Sequence, residues 1–272
     1  MPLEDHIGDI CRKARLQTNT EMSDCAAIAG LSQDELSAWE TDGVSGREIN
    51  VEALAELVGL SPVKALAIAG GWKPGGVDMS RWRELRMITT KEGFEVNSFV
   101  VWDSVTRQAA LFDTGWFADE IFRLADKEKL NVEHLFITHM HGDHVAALGD
   151  VRGRWPEIQL HTNNSGAPER NRVTHGQTVS VGGLKVAVRL TPGHADDGVT
   201  YVLEGWANTA PPVAVVGDAI FAGSMGKDFS TPELAQSKVR EEILSLPADT
   251  LICPGHGPLT TVGEETANNP FF

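Results

Sequence analysis

Three imidazoles and a carboxylate crowd into six residues of this chain: His139, His141, Asp143 and His144, in the run Thr138-His139-Met140-His141-Gly142-Asp143-His144. Imidazole nitrogen and carboxylate oxygen are the donors that zinc, iron and manganese accept. A structural zinc site would ordinarily include cysteine and saturate the metal. A site of histidine and aspartate alone is more often catalytic, with an open position for water. Three further candidates follow one local pattern: His194 after Thr191-Pro192-Gly193, Asp218 after Val215-Val216-Gly217, and His256 after Cys253-Pro254-Gly255. Each comes after an apolar run and directly after a glycine, where the backbone can bend sharply and approach an ion closely. Alternation in the first loop sends His139 and His141 toward one point and lets Asp143 and His144 turn toward a second.

For these side chains to meet, separate strand ends must converge on one rim. The sequence from residue 81 onward alternates strand and helix patterns. Residues 94–103 and 108–112 read as a hairpin pair, 116–130 as a helix, and 134–138 as a buried strand. Further strands are expected at 158–161, 184–190, 199–203, 213–216 and 251–253, with a helix over 231–244.

The first seventy residues differ. Apolar positions recur there at helical spacing in short blocks, punctuated by Gly30-Leu31-Ser32, Gly43, Asn50 and Gly59-Leu60-Ser61-Pro62, which predicts about five short helices and no strands. Gly70-Gly71-Trp72-Lys73-Pro74-Gly75-Gly76 is linker-like. The expected division is therefore a helical domain at 1–70, a linker at 71–80 and a catalytic domain at 81–272.

Composition bounds the function. The chain has 272 residues, 42% hydrophobic and 22% charged, enough for a substantial core and unlike a disordered or fibrous protein. A formal net charge of -15 disfavours nucleic acid and anionic lipid as partners and leaves small molecules open. Three cysteines without a Cys-x-x-Cys pair suit a reducing compartment. No run of about 18 apolar residues is present, and the acidic N-terminus lacks a signal peptide's basic and apolar regions. A cytoplasmic location is expected.

The order His-x-His-x-Asp-His, then His, Asp and His, resembles that of the metallo-β-lactamase superfamily. Asn97-Ser98-Phe99, Asp113-Thr114-Gly115, TPGH, GDAIFAGSMGK and PGHGPLTTVGEETANNPF are similar to its type II glyoxalase (hydroxyacylglutathione hydrolase-like) branch. The resemblance covers about residues 81–272. It implies an α/β protein, an αββα sandwich, here with a small all-α N-terminal domain, and a two-metal site at one edge. By the same resemblance His139, His141 and His194 bind one metal, Asp143, His144 and His256 bind the other, and Asp218 bridges. Asp113 would orient ligands rather than bind, and Lys227 would hold a substrate carboxylate. Two divalent ions are implied, zinc first, with iron or manganese also admissible. The implied reaction is attack on a thioester or related activated ester by a hydroxide bridging the metals, with Asp143 taking or steering the proton. Aspartate at 218, where the main zinc β-lactamases have cysteine, argues against antibiotic hydrolysis. An iron-dependent persulfide dioxygenase and a lactone hydrolase of the same fold are the alternatives. Phe229 and Pro258 stand where glutathione-hydrolysing relatives carry tyrosine.

Residues 6–69, with Leu31-Ser32-Gln33-Asp34-Glu35-Leu36-Ser37-Ala38-Trp39-Glu40 and a later LAELVGLSP, resemble a Cro/repressor-type helix-turn-helix. Charge opposes DNA binding: residues 1–76 hold six Lys+Arg against twelve Asp+Glu, a net of -6, and the would-be recognition helix has no lysine or arginine. A packing or self-association module, able to support a homo-oligomer, is the expectation. His6, His134, His161 and His175 are expected to be surface or structural residues, Cys253 a buried thiol, and Trp72 and Trp82 packing groups at the domain junction.

Overall fold

The structure is a computed structural model describing residues 1–227 and 231–272; Asp228, Phe229 and Ser230 lie outside the described residues, and with them the Phe229 comparison. Five helices come first: α1 Ile7–Gln17, α2 Met22–Ala29, α3 Gln33–Asp42, α4 Val51–Leu57 and α5 Pro62–Ala69. Their ends follow local chemistry. Ser32 and Glu35 form a reciprocal capping box at the start of α3, and Gly43 ends that helix in the left-handed region. Pro62 opens α5.

The remainder holds β1 Leu85–Glu92, β2 Phe94–Trp102, β3 Gln108–Phe112, α6 Asp119–Glu128, β4 Asn131–Phe136, α7 Gly142–Val145, α8 Leu148–Arg154 and β5 Gln159–His161. After these come β6 Thr178–Val181, β7 Leu184–Leu190, β8 Val199–Glu204, β9 Val213–Gly217, α9 Pro232–Glu242, β10 Leu251–Pro254, β11 Thr260–Thr261 and α10 Val262–Asn268. The strands form two mixed sheets, ordered β1-β2-β3-β4-β5 and β11-β10-β9-β8-β7-β6.

Side-chain alternation along the strands builds the layers. Phe99, Val101, Phe112 and Phe136 of the first sheet face Val186, Val188, Tyr201, Leu203 and Val215 of the second in one buried cluster. The intervening Val100, Trp102, Leu111 and Leu135 pack outward on Ile121 and Ala125 of α6 and Val151 of α8. Val202, Ala214, Val216 and Ile252 pack outward on Val239 of α9 and Val262 of α10. The result is an αββα sandwich.

Parallel pairing of β3 with β4, and of β9 with β10, brings the carboxyl ends of each pair to the same side. Asp113, the 138–144 loop, Asp218 and His256 all follow those ends. The N-terminal helices close their own core around Ile10, Leu36, Trp39 and Leu54, and that core also takes in Met225, Ala235 and Phe271 from the other end of the chain. Trp72 borders this helical core. Trp82, by contrast, lies inside the sandwich, its indole N–H donating to Pro211 O at 2.8 Å, so only one of the two tryptophans packs where the sequence suggested. No helix among the described residues is long and apolar enough to cross a membrane.

Candidate metal centre

The structure brings together all seven side chains singled out above. Potential ligand atoms of His139, His141 and His194 lie within 4.8 Å of one another, as do those of Asp143, His144 and His256, and those of His139, His144 and Asp218. Asp218 stands between the groups. Its Oδ2 is 3.5 Å from His194 Nε2, 3.4 Å from His256 Nε2 and 4.0 Å from His139 Nε2, while its Oδ1 is 3.3 Å from His144 Nε2. Asp143 Oδ2 lies 3.2 Å from His256 Nε2 and 3.4 Å from His144 Nε2. His141 presents Nδ1, 3.0 Å from His194 Nε2.

The surrounding contacts fix which nitrogen of each ring faces inward. Carbonyl oxygens only accept, so His256 Nδ1–H donates to Glu95 O at 2.6 Å and His194 Nδ1–H donates to Lys227 O at 3.0 Å. His144 Nδ1–H donates to the Asp113 carboxylate at 2.8 Å. The Thr138 hydroxyl donates to Asp113 Oδ2 at 2.7 Å, which leaves its lone pair to accept His139 Nδ1–H at 3.1 Å. Four imidazoles thus commit Nδ1–H outward and turn Nε2 toward the centre, the usual second contact of a metal-ligating histidine. Asp113 also accepts the Thr138 backbone N–H at 2.8 Å, so one buried carboxylate holds both ends of the first loop. Gly255 lets the chain pass close by: a Cβ there would lie 2.3 Å from Asp218 Oδ1.

The donor set fits a cation. His139 Nε2, His144 Nε2 and Asp218 Oδ1 are buried and make no hydrogen bond. Each such group costs about 1–3 kcal/mol unless something compensates it. Electrostatics point the same way. Burial drives the His139 pKa down to about 2, keeping that ring neutral and its lone pair free. Burial also opposes charge on His144 and His256, yet the neighbouring carboxylates outweigh it and push them up to about 10 and about 11. Burial likewise disfavours the Asp218 anion, but His144 and His256 hold that carboxyl well below the ordinary range. The protein alone balances its carboxylates with protons on these rings, and divalent cations would do so in their place.

A cavity of about 820 Å³ opens beside the centre, lined by His141, His194, Asn163, Asn164, Asp197 and Lys227 among others. Lys227 therefore reaches the site twice, through its carbonyl to His194 and through its place on the cavity wall.

The remaining histidines are accounted for locally. His134 and His161 sit on adjacent strands with ring nitrogens 3.0 Å apart, His6 caps α1, and His175 accepts the Leu190 backbone N–H. Cys253 is fully buried and burial raises its thiol pKa. Sequence reasoning named Thr138 and Asn97 within motifs without giving them a role, and missed the Glu95 and Lys227 carbonyls. The Asn97 amide donates to Pro254 O at 3.1 Å and Gly257 O at 3.0 Å, pinning the turn that carries His256. The role of Thr138 could have been suspected from its place directly before the ligands; a backbone carbonyl carries no residue-type signal.

Residues 92–256 match the Metallo-beta-lactamase superfamily. The chain is 28% identical over 204 residues to "Hydroxyacylglutathione hydrolase GloC" of Haemophilus influenzae, covering 66% of this chain and 93% of that protein. It is 26% identical over 189 residues to "Probable metallo-hydrolase YqgX" of Bacillus subtilis, covering 61% and 87%. Among solved structures it is similar to ETHE1 from Myxococcus xanthus, with a TM-score of 0.60 and 29% identity over 68% of this chain and 83% of that one.

Proposed function

Because the chain belongs to the metallo-β-lactamase superfamily, we propose that it is a metal-dependent hydrolase of a thioester or related activated ester. His139, His141 and His194 would hold one divalent ion, Asp143, His144 and His256 a second, and Asp218 would bridge them, grouped as their ligand atoms are. When bound, such a pair lowers the pKa of water from about 16 toward about 7 and polarises a carbonyl. The observation that carries the reading is the convergence of buried ligand atoms of His139, His144 and Asp218, within 4.8 Å of one another and making no hydrogen bond at Nε2 of the two rings or at Asp218 Oδ1.

The chain's own residues supply the rest. Asp113, Thr138 and the carbonyls of Glu95 and Lys227 keep the rings in the tautomer that turns a lone pair inward. Asp143, in contact with His256, is placed to take or steer a proton at its Oδ2. The polar cavity has room for a small molecule, and Lys227, one of its lining residues, is a cation suited to a substrate carboxylate. A thioester fits because a thiol of pKa about 8.5 leaves without full protonation. The relatives named hydrolases support hydrolysis as the reaction class.

The N-terminal helices over 1–70, joined by a linker at 71–80, are read as a module that packs against the sandwich through a shared core, and not as a DNA reader. In α3, Asp34 and Glu35 are acidic, and the Arg47 guanidinium lies 3.3 Å from Glu35.

The test is metal analysis of purified protein beside a panel of thioesters and lactones. Two ions per chain with thioester turnover is the expected result. A single iron with oxygen uptake would transfer the site to persulfide dioxygenation, and lactone turnover alone would change the substrate class.

A further inference from the structure

The N-terminal helical region reaches the loop after β9, which carries both Asp218 and the carbonyl that orients His194. Lys13 on α1 is buried, and its ammonium donates to Met225 O at 2.8 Å and to the buried Asp5 carboxylate. The same carboxylate accepts the Ser224 hydroxyl at 2.5 Å. Met225 lies two residues before Lys227, whose carbonyl takes the His194 Nδ1–H. Between them Gly226 runs so close to the centre that a Cβ there would lie 2.0 Å from Asp218 O and 2.8 Å from His194 Nδ1. The Gly226 backbone is therefore packed closely against both Asp218 and His194, so a displacement of this stretch toward them bears on those two residues. The N-terminal segment also touches the opposite ligand loop: a Cβ at Gly257, next to His256, would lie 3.0 Å from the Glu4 backbone nitrogen. The Lys13 ammonium stands 5.2 Å from the Phe221 ring centroid, and that ring packs edge-on against His256 at 5.8 Å.

From this geometry we infer that Lys13, held by Asp5, is a positioning residue of the metal centre. The ion pair of the helical region fixes Met225 O, and through residues 225–227 sets the orientation of His194. The inference rests on the metal-binding reading above. A buried ion pair is often no better for stability than apolar side chains of similar size, which leaves direction as what this pair can supply. What Lys13 adds is direction, a charged donor aimed at one backbone carbonyl. The loop has other anchors, since Asn269 donates to Ser224 O at 2.8 Å and Glu265 accepts the Gly223 N–H at 2.9 Å. Both act before Met225, so among these Lys13 holds the point nearest Gly226.

The test uses the full chain loaded with zinc, with ion release followed against a competing chelator and unfolding followed in parallel. Lys13→Met leaves Asp5 buried without its cation and could fail to fold. The double variant Lys13→Met/Asp5→Asn removes the lone charge yet still cannot donate to Met225 O. Leu36→Ala, in the helical core and away from the loop, serves as the control for simple destabilisation. The expected result is that the double variant gives up one ion at about ten- to a hundred-fold lower chelator than wild type, the usual effect of losing an outer contact. Leu36→Ala should melt earlier and keep wild-type release. A double variant releasing both ions as wild type does, or a Leu36→Ala variant losing one equally early, would overturn the inference. Wild-type protein that takes up no zinc would instead remove the metal reading beneath it, and the wild-type titration distinguishes the two failures.

Discussion

Asp113 shows how much of this site depends on a residue that touches the candidate ligands from their outer side. Its carboxylate accepts from Thr138 N, Thr138 Oγ1 and His144 Nδ1 at once, so the anion, and not merely an oxygen, sets the histidine tautomer. In Asp113→Asn the amide would donate to His144 Nδ1, moving the ring proton to Nε2 and removing the inward lone pair. Metal affinity should fall by about ten- to a hundred-fold with little change in fold, measurable by chelator competition and circular dichroism. Asp218→Asn, at the middle of the cluster, should lose metal and activity together; full activity in that variant would refute a bridging role. At this scale the sequence was most legible. Seven residues of ligand type stood out by identity and by their place after apolar runs, and the fold brings them within reach of one another. The contacts that aim them were mostly invisible, because Glu95 and Lys227 act through carbonyls that any residue possesses.

Elements were legible where their pattern was strong. The strand predicted at 184–190 is β7, Leu184–Leu190, and the hairpin over 94–112 is β2 and β3. The helix read over 116–130 is shorter, Asp119–Glu128, closed by Lys129 in the left-handed region. β1 escaped notice because its later half, Thr-Thr-Lys-Glu, is polar and only partly covered; it is recruited by pairing with β2. β6 and β11 are too short for periodicity to register. α10 was also missed, and it carries an unusual group. Glu265 is buried, accepts from Thr260 Oγ1 at 2.7 Å, Gly223 N at 2.9 Å and Asn269 Nδ2 at 2.9 Å, and burial lifts its pKa from 4.5 to about 7. Between those two values the folded chain holds a proton that the unfolded chain has released. Stability is therefore fullest below pH 4.5, as far as this group is concerned, and declines as pH rises toward about 7. The decline amounts to roughly 3 kcal/mol at most. Glu265→Gln, which can keep the same neighbours, should flatten that slope in urea unfolding at pH 5 and pH 8. An unchanged slope would show that Glu265 ionises normally.

Across the whole molecule, the helical region and the sandwich share a core. Phe271 and Met225 insert among the N-terminal helices, Ser61 N donates to Pro270 O at 2.9 Å, and the Lys64 ammonium donates to Thr266 O at 2.8 Å. The sequence showed the two compositions and the stretch between them, but not this docking, since residues far apart in the chain give no joint signal. A net charge of -15 and an acidic α3 predict that the intact protein will not retard duplex DNA in a gel shift, even at about 50 mM salt. A salt-sensitive shift would restore a DNA-reading role. In the proposed arrangement, seven side chains hold two cations with Asp218 between them. Anomalous scattering from crystals of the metal-loaded protein tests it most directly. Two peaks about 3.5–4 Å apart are expected, one beside His139, His141 and His194, the other beside Asp143, His144 and His256. A single peak, or density for a cation away from these residues, would contradict it.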